Sequence, residues 1–354
     1  MNRKLTRKIQ VGNVTIGGGA PIVIQSMTNT DPSDAQATLA QIQALAQAGC
    51  QIVRCTVPDQ AAVKAMGQIC EQSPIPVVAD IHFDYRLAIE SAYAGVSKIR
   101  INPGNIGGRD RVKAVTDVCR EKKIPIRIGV NSGSVEKEIL QKYGAPTPEA
   151  LVESALSHVR LLEQEDFTDI CISLKSSSVP ATIEAYQIMS RKVDYPLHLG
   201  VTEAGTERMG LMKSAVGIGG LLAMGIGDTI RVSLTADPVR EIYGAKDILK
   251  AVGLGDSGVN VVSCPTCGRT KIDLISIASE VEERLTKFPH KMTVAVMGCV
   301  VNGPGEAREA DFGIAGGDGV GLVFRHGEIL RKVPESDLLN ALLEEMEKAM
   351  GEQR

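Results

Sequence analysis

Tryptophan is absent from this chain of 354 residues, and aromatic residues make up only 3% of it. That scarcity argues against the stacking platforms on which single-stranded nucleic acids lie. A formal net charge of −3 offers no basic field to attract nucleic acid either. No run approaches the roughly 18–20 apolar residues of a membrane-spanning helix. The start, Met1 to Gln10, is basic, but no apolar segment follows it as a secretory leader requires. Phosphate-loop motifs and the glycine-rich dinucleotide fingerprint are missing, and so is the CxxxCxxC of radical chemistry based on S-adenosylmethionine. These absences lead to a cytoplasmic protein with neither nucleic acid nor membrane as partner.

What is present is ordinary globular composition, 44% hydrophobic and 23% charged, at a length that suggests two domains. Short β-branched apolar runs alternate with amphipathic helical stretches as far as about residue 252. The runs are Ile22–Met27, Gln51–Val57, Pro76–His82, Lys98–Pro103, Ile124–Asn131, Asp169–Lys175, Leu197–Val201 and Thr229–Leu234. Helical patterns such as Asp34–Ala48, Thr147–Glu163 and Val239–Val252 lie between them. Apolar strands separated by helices signal a parallel sheet, and eight such units fit a (β/α)8 TIM barrel in an α/β fold. A doubly wound open sheet is the structural alternative. Ile9–Gly17 reads as a hairpin with a Gly12-Asn13 turn that plugs the bottom of the barrel. Gly253–Gly258 reads as a linker. Strand and helix patterns beyond it predict a small α+β domain: strands at Val259–Ser263 and Thr293–Met297, two short strands near Phe312–Ala315 and Val320–Arg325, and helices Asp273–Leu285 and Glu335–Met350. The expected domains are therefore 1–253, binding substrate, and 259–354.

Barrel chemistry sits at the C-terminal ends of the strands. Polar residues predicted there are Arg54, Asp80, His82, Arg100, Asn102, Arg127, Asn131, Lys175, His198, Glu203, Arg231 and Ser233. A cation inside an apolar strand is costly unless paired, yet Arg or Lys recurs on five of the eight strands. Salt bridges to helix carboxylates explain any one of them, but not all five together. Converging cations call for a polyanion, and Arg forks match phosphate oxygens. The expected substrate is a phosphate or diphosphate. Glu203, just beyond the seventh strand, is the favoured proton donor. For His82 and His198, orientation and packing are as good a reading as chemistry. A zinc site from Asp80, His82 and His198 lacks local ligand spacing.

Five of the eight cysteines (Cys50, Cys55, Cys70, Cys119, Cys171) fall in apolar patterns and read as buried small hydrophobes. The other three do not. Cys264-Pro265-Thr266-Cys267 is a CxxC in a turn, which alone fits zinc, iron–sulfur or dithiol chemistry. Cys299 follows in Gly298–Glu306, and no fourth cysteine lies in this domain. Three thiolates leave one corner of an iron–sulfur cube open to a non-cysteine ligand, and Glu306 is the nearest candidate. Carboxylate is a harder ligand than thiolate and leaves sulfide-bound iron more readily. A zinc-stabilised barrel enzyme of condensation chemistry and a non-catalytic iron–sulfur sensor stay open as alternatives.

These residues carry a resemblance over nearly the whole chain. PIVIQSMTNTDPSD, VADIHFDYRLA, KIRINPGNIG, RIGVNSGS, ISLKSS, HLGVTEAG, SCPTCGRT and MGCVVNGPGEA resemble the 4-hydroxy-3-methylbut-2-enyl diphosphate synthase family of the methylerythritol phosphate route to isoprenoids. The large insertion of plant and apicomplexan versions is absent, so the chain looks like the bacterial two-domain type. The resemblance implies a [4Fe–4S] cluster on Cys264, Cys267, Cys299 and Glu306. It implies that Arg54, Arg100, Arg127, Asn131, Lys175 and Ser233 hold the substrate diphosphate, with Glu203 at the reacting end. The implied reaction is reductive ring opening of 2-C-methyl-D-erythritol 2,4-cyclodiphosphate, with electrons from a ferredoxin or flavodoxin. A homodimer in which one chain's cluster domain caps the other's barrel is likewise implied by the resemblance.

Overall fold

The computed structural model describes residues 3–255, 258–285, 288, 290–299 and 307–351. The chain forms two compact units, Met1–Leu254 and Gly255–Arg354. The first opens with an antiparallel hairpin of β1 (Ile9–Val11) and β2 (Val14–Ile16). Eight parallel strands follow: β3 (Val23–Met27), β4 (Ile52–Thr56), β5 (Val77–Asp80), β6 (Lys98–Ile101), β7 (Ile126–Asn131), β8 (Ile170–Lys175), β9 (His198–Leu199) and β10 (Thr229–Ile230). Neighbours in sequence are neighbours in space, and β10 returns to pair with β3. The remaining seam, between β8 and β9, is closed by a single bridge, Ile172 to Leu197. Tyr186 reinforces it from α8 (Val179–Lys192). Its hydroxyl accepts from Leu174 N at 3.0 Å and donates to the His198 carbonyl. The result is the TIM barrel, not the open sheet.

Strand alternation divides the residues cleanly. On β7, Ile126, Ile128 and Val130 belong to the large core shared with the helices, which leaves Arg127, Gly129 and Asn131 facing the lumen. On β6, Ile99 and Ile101 face the helices, and Lys98 and Arg100 face in. The outer face supplies the hydrophobic stabilisation, at roughly 25 cal/mol per Å² of apolar surface buried. The inner face is thereby free to be polar. Its lower end is not: Val23, Ile52, Val78 and Cys171 pack against Ile9, Val11 and Ile16 of the hairpin, which plugs the bottom. Loops entering the helices end in oxygen-bearing caps. Asp34, Asp59 and Thr147 accept from the backbone three residues on, opening α1 (Ala35–Ala48), α2 (Gln60–Gln72) and α7 (Pro148–Glu163).

The second unit has a five-stranded sheet in the order β11 (Val259–Ser263), β12 (Met292–Met297), β13 (Phe312–Gly316), β14 (Val320–Arg325) and β15 (Glu328–Pro334). The first three are parallel and the last two antiparallel. A helix at Leu274–Leu285 and another at Leu338–Gly351 pack on it. β15 is missing from the expectation. It is an edge strand whose EILRKVP is largely exposed, so it carries charge, not the apolar alternation that marks an inner strand. β9 and β10 are shorter than their apolar runs, because regular pairing stops at Leu199 and Ile230. Of the five cysteines read as core, Cys50, Cys55, Cys119 and Cys171 are buried, and Cys70 is half-buried.

Candidate active site

The upper ends of the barrel strands enclose a cavity of about 280 Å³. Eight expected residues line it: Arg54, Asp80, His82, Arg100, Asn131, Lys175, Arg231 and Ser233. Met27, Thr56, Ser173 and Thr202 line it too and were not singled out in the sequence. Met27, Thr56 and Ser173 fall on the inward alternate of their strands, which is the signal that could have found them.

Asp80 organises the cations. Its Oδ1 meets Arg100 Nη1 at 3.1 Å and its Oδ2 meets Arg54 Nε at 3.4 Å. Burial alone would push this carboxyl up, but Arg54, Arg100 and Arg127 outweigh it and hold it at about 2. Arg54 also donates to the Met27 sulfur from Nη2 at 2.8 Å. Arg231 is the cation with a helix carboxylate. Both its Nε and Nη2 lie 3.3 Å from Glu241, on α11 (Pro238–Ala251). Glu241 also accepts from Ser26 Oγ at 2.8 Å and Leu234 N at 3.1 Å.

Two carboxylates do not neutralise the mouth. Among the described residues, neither Arg127 nor Lys175 has an ion-pair partner, and Arg127 Nε and Nη2 are buried without any acceptor. Burial, then Arg100, pulls the Arg127 guanidinium down to about 10. Burial and four surrounding guanidinium groups, those of Arg54, Arg231, Arg127 and Arg100, push the Lys175 amine well below the ordinary lysine range. Lys98 lies fully buried deeper in the lumen, its Nζ unpartnered, and burial takes it to about 7. Like charges held this way in low dielectric repel strongly, and a polyanion relieves all of them at once.

The other expected residues fall elsewhere. Arg127 and His198 lie in the barrel interior and do not line the cavity. His198 Nδ1 is 3.4 Å from Thr229 Oγ1, and burial beside Arg127, Lys175 and Lys98 keeps the ring neutral. Asn102 is buried and uses Oδ1 to accept from Gly104 N at 3.1 Å. His82, one of the residues lining the cavity, is itself exposed. Glu203 is exposed beyond β9, with φ +51. A left-handed non-glycine residue costs roughly 1–2 kcal/mol, and such strain clusters at functional sites. No zinc-type grouping of three histidine, cysteine or carboxylate side chains exists among the described residues; Asp80 is taken by two arginines.

In the second unit, Cys264 and Cys299 follow the ends of the parallel neighbours β11 and β12, so pairing brings them to one edge. Gly298 N donates to Cys264 Sγ at 3.2 Å. Cys267 is exposed, with its N–H on Thr270 Oγ1 at 3.2 Å, and donors of Arg269 hold its thiol below the ordinary range. All three thiols are free. Thiols that receive N–H donors suit thiolate ligands of an iron–sulfur cluster, whose irons each take their own ligand. Glu306 lies outside the described residues.

Barrel enzymes work at this end of their strands, and a mouth of this charge belongs to one whose substrate is a polyanion. Residues 6–246 match the GcpE TIM-barrel domain, and residues 260–348 the GcpE protein C-terminal domain. The chain belongs to the GcpE family and is an enzyme of that kind. It is 62% identical over 347 residues to the 4-hydroxy-3-methylbut-2-en-1-yl diphosphate synthase (flavodoxin) of Geobacter sulfurreducens, covering 98% of each chain. The enzyme of the same name from Clostridium perfringens is 63% identical, covering 98% of this chain and 99% of its own. Among solved structures, N-acetylneuraminic acid synthetase from Leptospira borgpetersenii matches with TM-score 0.51 at 15% identity, over 81% of this chain and 99% of that one. Type I 3-dehydroquinate dehydratase from Clostridium difficile matches with TM-score 0.50 at 16% identity, over 70% and 97%. At that identity the likeness concerns the barrel fold alone.

Proposed function

We propose that this chain converts 2-C-methyl-D-erythritol 2,4-cyclodiphosphate into (E)-4-hydroxy-3-methylbut-2-enyl diphosphate, the product named for its relatives. The observation that carries the reading is the cation excess of the barrel lumen: Arg54, Arg100, Lys175 and Arg231 line the cavity, Arg127 is buried in the interior, and among the described residues only Asp80 and Glu241 pair with any of them. A diphosphate supplies the missing negative charge and a set of acceptors for the guanidinium forks. In the reaction, the ring C–O bond breaks and the diphosphate stays on the other carbon. Two electrons enter, and a hydroxyl leaves as water.

Cys264, Cys267, Cys299 and Glu306 would hold a [4Fe–4S] cluster. When bound, the cluster supplies one-electron transfer and a Lewis-acidic iron. Flavodoxin, named in the relatives' descriptions, is the favoured donor, with ferredoxin as the other candidate. The cations fix the diphosphate and so orient the reacting carbons. Asn131 and Ser233 add hydrogen bonds at the cavity wall. Glu203 delivers a proton to the leaving hydroxyl. The working form is a cytoplasmic homodimer. No helix among the described residues is long and apolar enough to cross a membrane.

Glu203→Gln tests the proton donor. The variant should keep its substrate affinity and the cluster's absorption and lose most turnover; full activity would remove Glu203 from that role. Lys175→Met, which removes a cation lining the cavity, should weaken substrate binding by roughly 1.5–3 kcal/mol, the scale of a hydrogen bond to a charged group, as read by calorimetry.

A further inference from the structure

Glycine inside a strand weakens it and packs nothing, so a strand glycine without a conformational duty needs another reason. Gly129 on β7 and Gly200 just after β9 both face the barrel lumen, and neither has the positive φ that would demand glycine. The space each leaves is filled by a cation of the mouth. A Cβ on Gly129 would stand 2.3 Å from Arg100 Nε, 2.7 Å from Nη2 and 2.8 Å from Cζ. A Cβ on Gly200 would stand 3.0 Å from Lys175 Nζ, 3.1 Å from its Cε and 3.0 Å from the Arg231 carbonyl oxygen. Arg100 on β6 lies over the glycine of β7, and Lys175 on β8 lies over the glycine just after β9. Arg100 cannot simply swing aside, because Asp80 holds its Nη1 at 3.1 Å and the Gly129 carbonyl lies 3.4 Å from its Nη2.

An eight-stranded barrel has a lumen only wide enough for its side chains to fill. We infer that Gly129 and Gly200 are positioning residues, whose missing side chains let Arg100 and Lys175 lie flat against the barrel wall and so set the spacing of the anion site. This rests on the reading of the mouth as a diphosphate site.

The test is calorimetric titration of the full-length chain with inorganic pyrophosphate. Wild type should bind, and Gly67→Ala should bind equally, since a Cβ at that helical position meets nothing. Gly129→Ala should weaken binding about tenfold or more, the loss expected of one displaced charged hydrogen-bond donor. In an Arg100→Met background the same change should cost nothing further, because the effect runs through Arg100. Equal affinity of Gly129→Ala and wild type would overturn the inference, and so would an equal loss in both backgrounds. If Gly129→Ala melts too low to assay, Gly200→Ala is measured with and without Lys175→Met; the Arg231 carbonyl meets the Gly200 Cβ in both backgrounds, so a loss of equal size in the two overturns the inference and a smaller loss with Lys175→Met upholds it. Failure of wild type to bind pyrophosphate would instead sink the diphosphate reading, and this inference with it.

Discussion

Asp80 is the residue on which the geometry of the mouth depends, since among the described residues it alone joins Arg54 to Arg100. The residues without partners are as informative. Lys175 is held below its ordinary range by burial and its arginine neighbours, and a bound diphosphate reverses the second effect. Binding of sulfate, an anion with no proton of its own to release, should therefore take up protons on the alkaline side of neutrality, below the ordinary lysine range. Calorimetry in two buffers of different ionisation enthalpy reads that uptake directly, and proton release would contradict the account. Lys98 makes a different prediction. Its folded pKa of about 7 lies below the roughly 10.4 of an unfolded lysine. Between those values the unfolded chain holds a proton that the folded chain lacks, so stability rises with pH through that window. Lys98→Met should flatten the rise and stabilise the fold at pH 7 by about 1–4 kcal/mol, as replacement of buried charge by apolar volume often does. Urea unfolding at pH 7 and pH 9 would show it; a less stable variant would mean that Lys98 has a partner in the native state.

At the scale of elements, the barrel seam is where pairing is thinnest. Tyr186 spans it between Leu174 N and the His198 carbonyl. Tyr186→Phe leaves both groups buried and unpaired, and should cost about 1–3 kcal/mol in urea unfolding. A neutral result would show that the single bridge suffices. The strands themselves were legible in the sequence because helices pack on their outer faces, so every second residue had to be apolar. The same alternation exposed Arg54, Arg100, Arg127, Lys175 and Arg231 as inward cations. It could not tell depth. Arg127 and His198 point inward like the rest but lie in the barrel interior without lining the cavity. Nor could it reveal β15, whose exposed edge position requires charge. The left-handed backbone of Glu203 left no mark in the sequence either, since nothing local demands it. The partnership of Arg231 with Glu241 joins two residues ten apart in sequence that a strand–helix turn brings together.

At the scale of the molecule, two units divide the chemistry: a barrel that holds charge and a smaller sheet that presents thiols. The barrel's upper lumen is a poor place for five cations in the absence of an anion, and the outer apolar face carries the stability that tolerates them. The thiols follow β11 and β12 at one edge of their sheet, in chain segments whose backbone N–H groups already face sulfur at Cys264. In the proposed reaction, a cyclic diphosphate held by the cations is reduced with electrons passed through a cluster on those thiols. The most direct test is turnover of 2-C-methyl-D-erythritol 2,4-cyclodiphosphate by anaerobically purified protein, with iron measured in the same sample. About four irons per chain and reductant-dependent formation of 4-hydroxy-3-methylbut-2-enyl diphosphate are predicted. Iron-loaded protein that consumes no cyclic diphosphate when supplied with reduced flavodoxin would contradict it.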